Sequence, residues 1–267
     1  MTREYSVFRK ALLFFACVLL GATLISCSKQ NEKPAKTILK AAISPSIPPF
    51  MFVENNQLVG MDYEIFKGFC DSRGYECQTE SYDFQGMLGA VSSGQANIAF
   101  SGISITEKRM EAMEFSNPYI QNGWSLVSLS KRNIRITSLA QLKNYSIGFP
   151  TGAVFMGYVK DVWQPKGIYK VSQVKLYPAM SDVLTDLSNG NLDLMFVDDS
   201  MLISYVNNQK LPLQTSLDID YSDKLGFAFT KGSPIREDFN KYIAELGPEK
   251  LKAMEAKWSG KPEVAVK

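Results

Sequence analysis

Apolar positions in this chain recur at two periods, and the switches between them mark its elements. Residues 38–43 form a short apolar run that predicts a first strand; Pro45, Pro48 and Pro49 then force a loop. Within 63–70, Ile65, Phe66 and Phe69 fall at helical spacing. Asp83 can cap a helix that carries Met87, Leu88 and Val91 and stops at Gly94. A short apolar strand is predicted at 97–101, and Thr106 can cap the next helix through Lys108 and Arg109. Residues 145–149 predict a strand, followed by Pro150-Thr151-Gly152 and a helix from about Ala153. Ser181 or Asp182 can cap a helix with Val183, Leu184 and Leu187 that stops at Gly190, with a strand at 193–197 after it. A last strand at 226–230 and helices at 239–246 and 251–258 complete the pattern.

Part of this plan occurs twice. With Gly94 set on Gly190, VSSGQANIAFSG lies over LSNGNLDLMFVD without a gap, so that Val91 falls on Leu187, Ile98 on Leu194 and Phe100 on Phe196. The pairing predicts two lobes built from one α/β unit. It puts Gly102 opposite Asp198, each just past the carboxyl end of a strand, where open α/β sheets bind ligands. The elements after 226 have no counterpart in the repeat and are expected to return to the first lobe. The chain then crosses twice between lobes, near 122–128 and 220–226, and two crossings make a hinge.

The pattern before residue 38 is of another kind. Arg3, Arg9 and Lys10 precede an apolar run over 11–25, shorter than the roughly 20 residues a membrane span needs and suited to a signal-peptide core. The run ends in Leu24-Ile25-Ser26-Cys27, which resembles a bacterial lipobox. Residues 1–26 are therefore expected to be a lipoprotein signal peptide. Cys27 is expected to carry lipid, and 27–37 to form a polar, lysine-rich tether. This places the protein in the cell envelope, periplasmic or otherwise extracytoplasmic, anchored to the membrane by lipid.

Composition narrows the chemistry. With 45% hydrophobic and 21% charged residues the chain is an ordinary globular one. It has no histidine, which excludes His-dependent triads and the commonest metal ligand; no metal or other cofactor is expected. Residues 1–26 hold three of the 29 basic side chains and one of the 27 acidic ones, so the remainder is close to neutral and shows no basic excess for nucleic acid. Beyond Cys17 and Cys27 the cysteines are Cys70 and Cys77, an even pair that in an exported protein argues for a disulfide.

Several segments, in order and at the right intervals, resemble the periplasmic amino-acid-binding proteins of ABC importers, of the lysine/histidine/glutamine type (solute-binding protein family 3). The strongest is Ser101-Gly102-Ile103-Ser104-Ile105-Thr106-Glu107-Lys108-Arg109 followed by Phe115-Ser116-Asn117-Pro118-Tyr119. Pro48-Pro49-Phe50, Gly60-Met61-Asp62-Tyr63-Glu64, Asp83-Phe84-Gln85-Gly86 and Gly190-Asn191-Leu192-Asp193 support it, and the Cys70–Cys77 spacing resembles a disulfide of histidine-binding members. The resemblance covers about 38–260 and implies an α/β, two-lobe periplasmic-binding-protein fold (type II, Venus-flytrap) with two crossover hinge strands. Lobe I is expected at 38–122 plus 225–260 and lobe II at 123–224. The implied partners are a small amino-acid ligand and the permease subunits of an ABC transporter; the chain is expected to be a monomer.

The resemblance also implies roles. Arg109 matches the arginine that grips the ligand's α-carboxylate, a task suited to a permanently charged, forked guanidinium. Thr151, Gly152 and Ala153 match a second carboxylate clamp built from backbone N–H groups at a helix start. Asp198 matches the carboxylate that pairs with the α-ammonium, although Asp198 or Asp199 could instead cap the following helix. Ser101, Gly102 and Ser104 would add hydrogen-bonding groups, and Phe84, Ile47 and Met87 would wall the side-chain pocket. The sequence departs from many members at Ile47, Ala153 and Val154. These apolar choices, with no further carboxylate evident for a cationic side chain, favour a neutral ligand, glutamine-like or less polar. No catalytic residue is expected. The competing readings are an enzyme on the same fold, of the cyclohexadienyl-dehydratase type, which would need Glu107, Asp198 or Asp199 as a general acid, and a sensory or cell-wall-associated binding module.

Overall fold

A computed structural model of the protein describes residues 36–260. The predicted leader, Cys17 and Cys27 lie outside these residues. The chain opens with β1 (Ile38–Ile43), whose apolar residues pair in parallel on both edges. A small antiparallel sheet follows: β2 (Ser46–Ile47), β3 (Met51–Glu54) and β4 (Gln57–Val59). Next come α1 (Met61–Arg73), β5 (Glu76–Ser81), α2 (Phe84–Ser92) and β6 (Ile98–Phe100). The Asp83 carboxylate caps α2, accepting the Gly86 N–H at 2.6 Å. The one-turn helix α3 (Glu107–Met110) is capped by Thr106, whose Oγ1 accepts the Arg109 N–H at 3.2 Å. Then β7 (Glu114–Phe115) ends the first run of the chain through this sheet.

The second run begins with the long β8 (Ile120–Leu129) and continues through β9 (Ile147–Pro150), α4 (Phe155–Tyr158) and β10 (Val174–Tyr177). It proceeds through α5 (Met180–Asn189), β11 (Leu194–Asp198), α6 (Asp199–Asn207) and β12 (Leu213–Leu225). The chain then returns to the first sheet as β13 (Ala228–Phe229) and ends in α7 (Arg236–Ser259).

Two five-stranded sheets result, in the orders β5-β1-β6-β13-β7 and β10-β9-β11-β8-β12. Each has three parallel strands and then two antiparallel neighbours. The strands paired by the internal repeat, β6 and β11, hold the same third place. The equivalence read from twelve residues therefore extends to the whole sheets. β8 and β12, the strands entering and leaving the second sheet, pair antiparallel from Ile120 opposite Leu225 to Leu129 opposite Leu213.

One apolar cluster runs through the first sheet and its helices (Ile43, Phe66, Phe100, Phe239) and on to Met180, Val183, Met195 and Val197 of the second. The other face of the second sheet has its own cluster, centred on Trp124, Phe149, Phe155, Trp163 and Phe196. Cys70 of α1 and Cys77 of β5 form a disulfide, their Cα atoms 6.1 Å apart.

The structure corrects several predicted boundaries. Helix α5 starts at Met180, so neither Ser181 nor Asp182 is its cap; Asp182 sits in the first turn and its carboxylate reaches back to the Ala179 N–H at 3.1 Å. The helix expected from Ala153 begins at Phe155 and loosens into a π-turn over Val159–Trp163. The two expected C-terminal helices are both present within Arg236–Ser259, the first starting three residues earlier than expected, and they part at Gly247 (φ 75°), immediately before Pro248, whose ring forbids an unbroken helix.

Candidate functional site

The carboxyl ends of β6, β9 and β11 converge between the sheets. Arg109 comes from the first sheet's side, oriented by the Thr106 cap at the start of its one-turn helix. Its Nη1 donates to the Ser104 carbonyl at 2.6 Å and its Nη2 to the Gly152 carbonyl, on the second sheet's side, at 3.0 Å. The guanidinium carbon lies 5.7 Å from the centre of the Phe84 ring. Burial draws the Arg109 pKa down to about 10 against the pull of Asp223 and Asp198, so it is a cation at neutral pH.

Arg109 stands between two spaces. On one side is a small cavity of about 30 Å³, walled by Ile47, Phe84, Gly102, Ser104, Ala153 and Asp198 with further apolar side chains. On the other is a larger cleft of about 760 Å³, bordered by Thr151, Gly152 and Ala153 from one side and Gln85 and Lys108 from the other. Asp198 is the last residue of β11 and 7% exposed, and its Oδ1 has no hydrogen-bond partner among the described residues. Burial, then Asp223 and Asp199, push its carboxyl well above the ordinary range, with Arg109 opposing.

Not every expected residue reaches these spaces. Ser101 is fully buried and its Oγ accepts the Ser44 N–H at 2.9 Å, so its hydroxyl serves the fold. Met87 is fully buried in the core under α2 and lines neither space. The expected three-residue backbone clamp is narrower than its sequence implied. Thr151 N–H bonds the Tyr177 carbonyl at 2.8 Å and Ala153 N–H the Pro150 carbonyl at 3.1 Å, which leaves the N–H of Gly152. Neither Asp198 nor Asp199 caps α6 through its side chain: the helix begins at Asp199, with Asp198 at the cap position making no such bond, and Asp199 Oδ1 accepts the Ser125 hydroxyl at 2.6 Å.

Two further carboxylates belong to the neighbourhood. Asp62, 1% exposed, accepts the Gly102 N–H at 2.8 Å and the Tyr119 hydroxyl at 2.6 Å. Burial raises it to about 7, although both hydrogen bonds act to lower it. Asp223, 8% exposed, accepts Trp124 Nε1–H at 3.2 Å. Its signal was present in the sequence: the alternation through Asp223 and Leu225 puts a carboxylate on the inward side of β12. Met180, Met201, Phe155 and Pro150 also wall the small cavity, and no spacing rule singles them out. Among the described residues no cluster of three or more Asp, Glu or Cys side chains is placed to hold a metal ion.

Known proteins agree with this architecture. Residues 39–261 match the model of the bacterial extracellular solute-binding proteins, family 3. The chain is 26% identical to the arginine-binding extracellular protein ArtP of Bacillus subtilis, over 92% of this chain and 96% of that one. It is 28% identical to the ABC transporter arginine-binding protein 1 of Escherichia coli, over 80% and 84%. Among solved structures, an ancestral arginine-binding protein bound to glutamine superposes with a TM-score of 0.74 at 27% identity, covering 85% of this chain and 99% of that one. Its arginine-bound form gives 0.73 at 28%, covering 84% and 98%. With two sheets of matching order, a doubled crossover and a family match over nearly all the described residues, the chain belongs to the bacterial extracellular solute-binding proteins, family 3.

Proposed function

We propose that this protein captures an L-α-amino acid between its lobes, 38–122 plus 225–260 and 123–224, and delivers it to the permease of an ABC transporter. The observation that carries the reading is Arg109. A guanidinium anchored on one lobe reaches a backbone carbonyl of the other, beside the Asp198 carboxylate. A ligand carboxylate exchanged for those carbonyl contacts would tie both lobes to one small molecule. Asp198, buried and with an unmatched oxygen, suits the α-ammonium; Gly102 and Ser104 border the same space, and Gly152 borders the cleft on the other side of Arg109. Curated relatives are named for arginine, and one solved relative is described as bound to glutamine as well as arginine, so this fold accepts both. Here the walls of Ile47, Phe84, Ala153 and Met180 favour a neutral side chain, glutamine-like or less polar. The site serves binding and release rather than turnover. The protein acts as a monomer outside the cytoplasm, held to the membrane through lipid on Cys27.

The test is titration calorimetry of the purified protein against the common amino acids, arginine and glutamine included. The expected outcome is micromolar or tighter binding of at least one, weakened on the order of 100-fold or more by Arg109→Ala, since truncating one partner of a buried charge pair costs about 2–5 kcal/mol. No binding by any amino acid, or an Arg109→Ala variant that binds unchanged, refutes the reading. Mass spectrometry of the membrane-extracted protein, with a diacylated or triacylated Cys27 expected at the new N-terminus, checks the anchor.

A further inference from the structure

Capture of a single amino acid gives no task to the larger cleft beside Arg109. At about 760 Å³ it has the size of a small-molecule site, whereas the small cavity at Asp198, about 30 Å³, has room on the order of one or two waters. The two spaces share Arg109, Ala153 and Val154 as walls. One wall of the cleft is a face of α2, with Gln85, Leu88, Gly89 and Ser92 at helical spacing; Gly157 of α4 stands on the second sheet's side. A Cβ at Gly89 or at Gly157 would meet no atom within 4 Å, and neither residue has the left-handed backbone that calls for glycine. Glycine weakens a helix, and neither packing nor backbone accounts for these two. Both leave room on the cleft. Leu176 of β10 and Tyr221 of β12 border the same space and are each 47% exposed, Tyr221 with its ring 4.3 Å from that of Trp124. The cleft thus presents apolar surface that only an incoming group would bury. Its charged residues are Lys108, Arg109 and Lys160 against the single acid Asp161, which suits an apolar group with an anionic end.

Resting on the amino-acid reading above, we propose that the ligand continues past Arg109 into this cleft and is a dipeptide with a small first residue and an apolar second one. The direction follows from the order of atoms in the backbone. With the ammonium at Asp198 and the carbonyl oxygen accepting from Arg109, whatever follows the carbonyl carbon lies on the far side of the guanidinium. In a free amino acid nothing follows; in a dipeptide the second residue does. Its side chain meets the glycine-lined walls and the exposed faces of Leu176 and Tyr221, and its terminal carboxylate is drawn to Lys108 and Lys160. The first residue stays in the small cavity, whose volume and apolar walls suit glycine or alanine. A cationic side chain would instead bring its charge into a space that already holds an excess of cations.

Calorimetry of the purified protein compares glycyl-leucine, alanyl-leucine and alanyl-phenylalanine with glycine, alanine, glutamine and arginine. The expected result is that each dipeptide binds about 10- to 100-fold more tightly than the free amino acid of its first residue, the gain that burial of one apolar side chain supplies. Alanyl-leucine amide, which lacks the terminal carboxylate, should bind several-fold more weakly than alanyl-leucine. Gly89→Leu and Gly157→Leu, each filling the cleft from one wall, should bring the ratio of dipeptide to amino-acid affinity down toward one. Free amino acids that bind as tightly as the dipeptides, or a ratio unchanged in both variants, overturn this proposal and leave the amino-acid reading standing. Failure of amino acids and dipeptides alike overturns both. Should a variant fail to fold, the ligand panel on the unaltered protein still decides.

Discussion

Arg109 is fixed by its own surroundings as much as by its charge: a capped turn sets its backbone, the Phe84 ring lies against its plane, and two carbonyls hold its fork. Gly102, across the cavity, is constrained more tightly still. Its φ of +63° is left-handed, its N–H is tied to Asp62, and a Cβ built on it would lie 2.6 Å from Phe50 Cδ2. Gly102→Ala should therefore cost about 2–4 kcal/mol, combining left-handed backbone strain with overpacking against a buried ring. Urea unfolding followed by tryptophan fluorescence measures this, and an unmoved midpoint would show that Phe50 yields freely. At this scale the sequence singled out residues that stand in a contiguous motif, as with Arg109 in its SITEKR segment. It concealed those whose role depends on partners far away in the chain. Asp62 sits inside a recognised segment, yet nothing local shows that its partners are Gly102 and Tyr119. Asp223 needed the pairing of β12 with β8, which brings up Trp124, before its burial meant anything.

Asp62 also matters at the scale of elements, because it joins α1, the turn after β6 and the residue that leads into β8. Its folded pKa, about 7, lies above the ordinary carboxylate value of 3.8. A carboxyl raised on folding binds its proton more tightly in the native state, so its stabilisation is complete below about pH 4 and is lost as the pH climbs toward 7. Unfolding free energy should thus decline across that window by an amount on the order of a few kcal/mol, and Asp62→Asn should flatten the decline. Denaturant titrations at several pH values check it; equal slopes in parent and variant would mean that other groups dominate. Helix and strand existence was legible because period and caps agree, as at Asp83, Thr106 and Gly190. Helix starts were less so wherever two candidate caps stood side by side, as at Ser181 and Asp182. There the choice depended on where the preceding strand released the chain.

For the whole molecule, a twelve-residue internal match was enough to anticipate two lobes, since each match contains a helix, a left-handed glycine and the central strand of a sheet. The sequence said less about the interior between them. Ile47 of β2 and Met180 of α5 lie far apart in the chain, yet they line one cavity and belong to one apolar cluster that runs from the first sheet to the second. That continuity has a calorimetric signature. Any opening that separates these side chains must hydrate them, and hydrated apolar surface stores more heat per degree. Ligand-driven closure should then carry a negative heat-capacity change larger than burial of one amino acid explains, measurable as the temperature slope of the binding enthalpy. A slope near zero would mean that the interior stays dry throughout. A steep one would make the heat of binding, more than its strength, the record of how far the lobes travel.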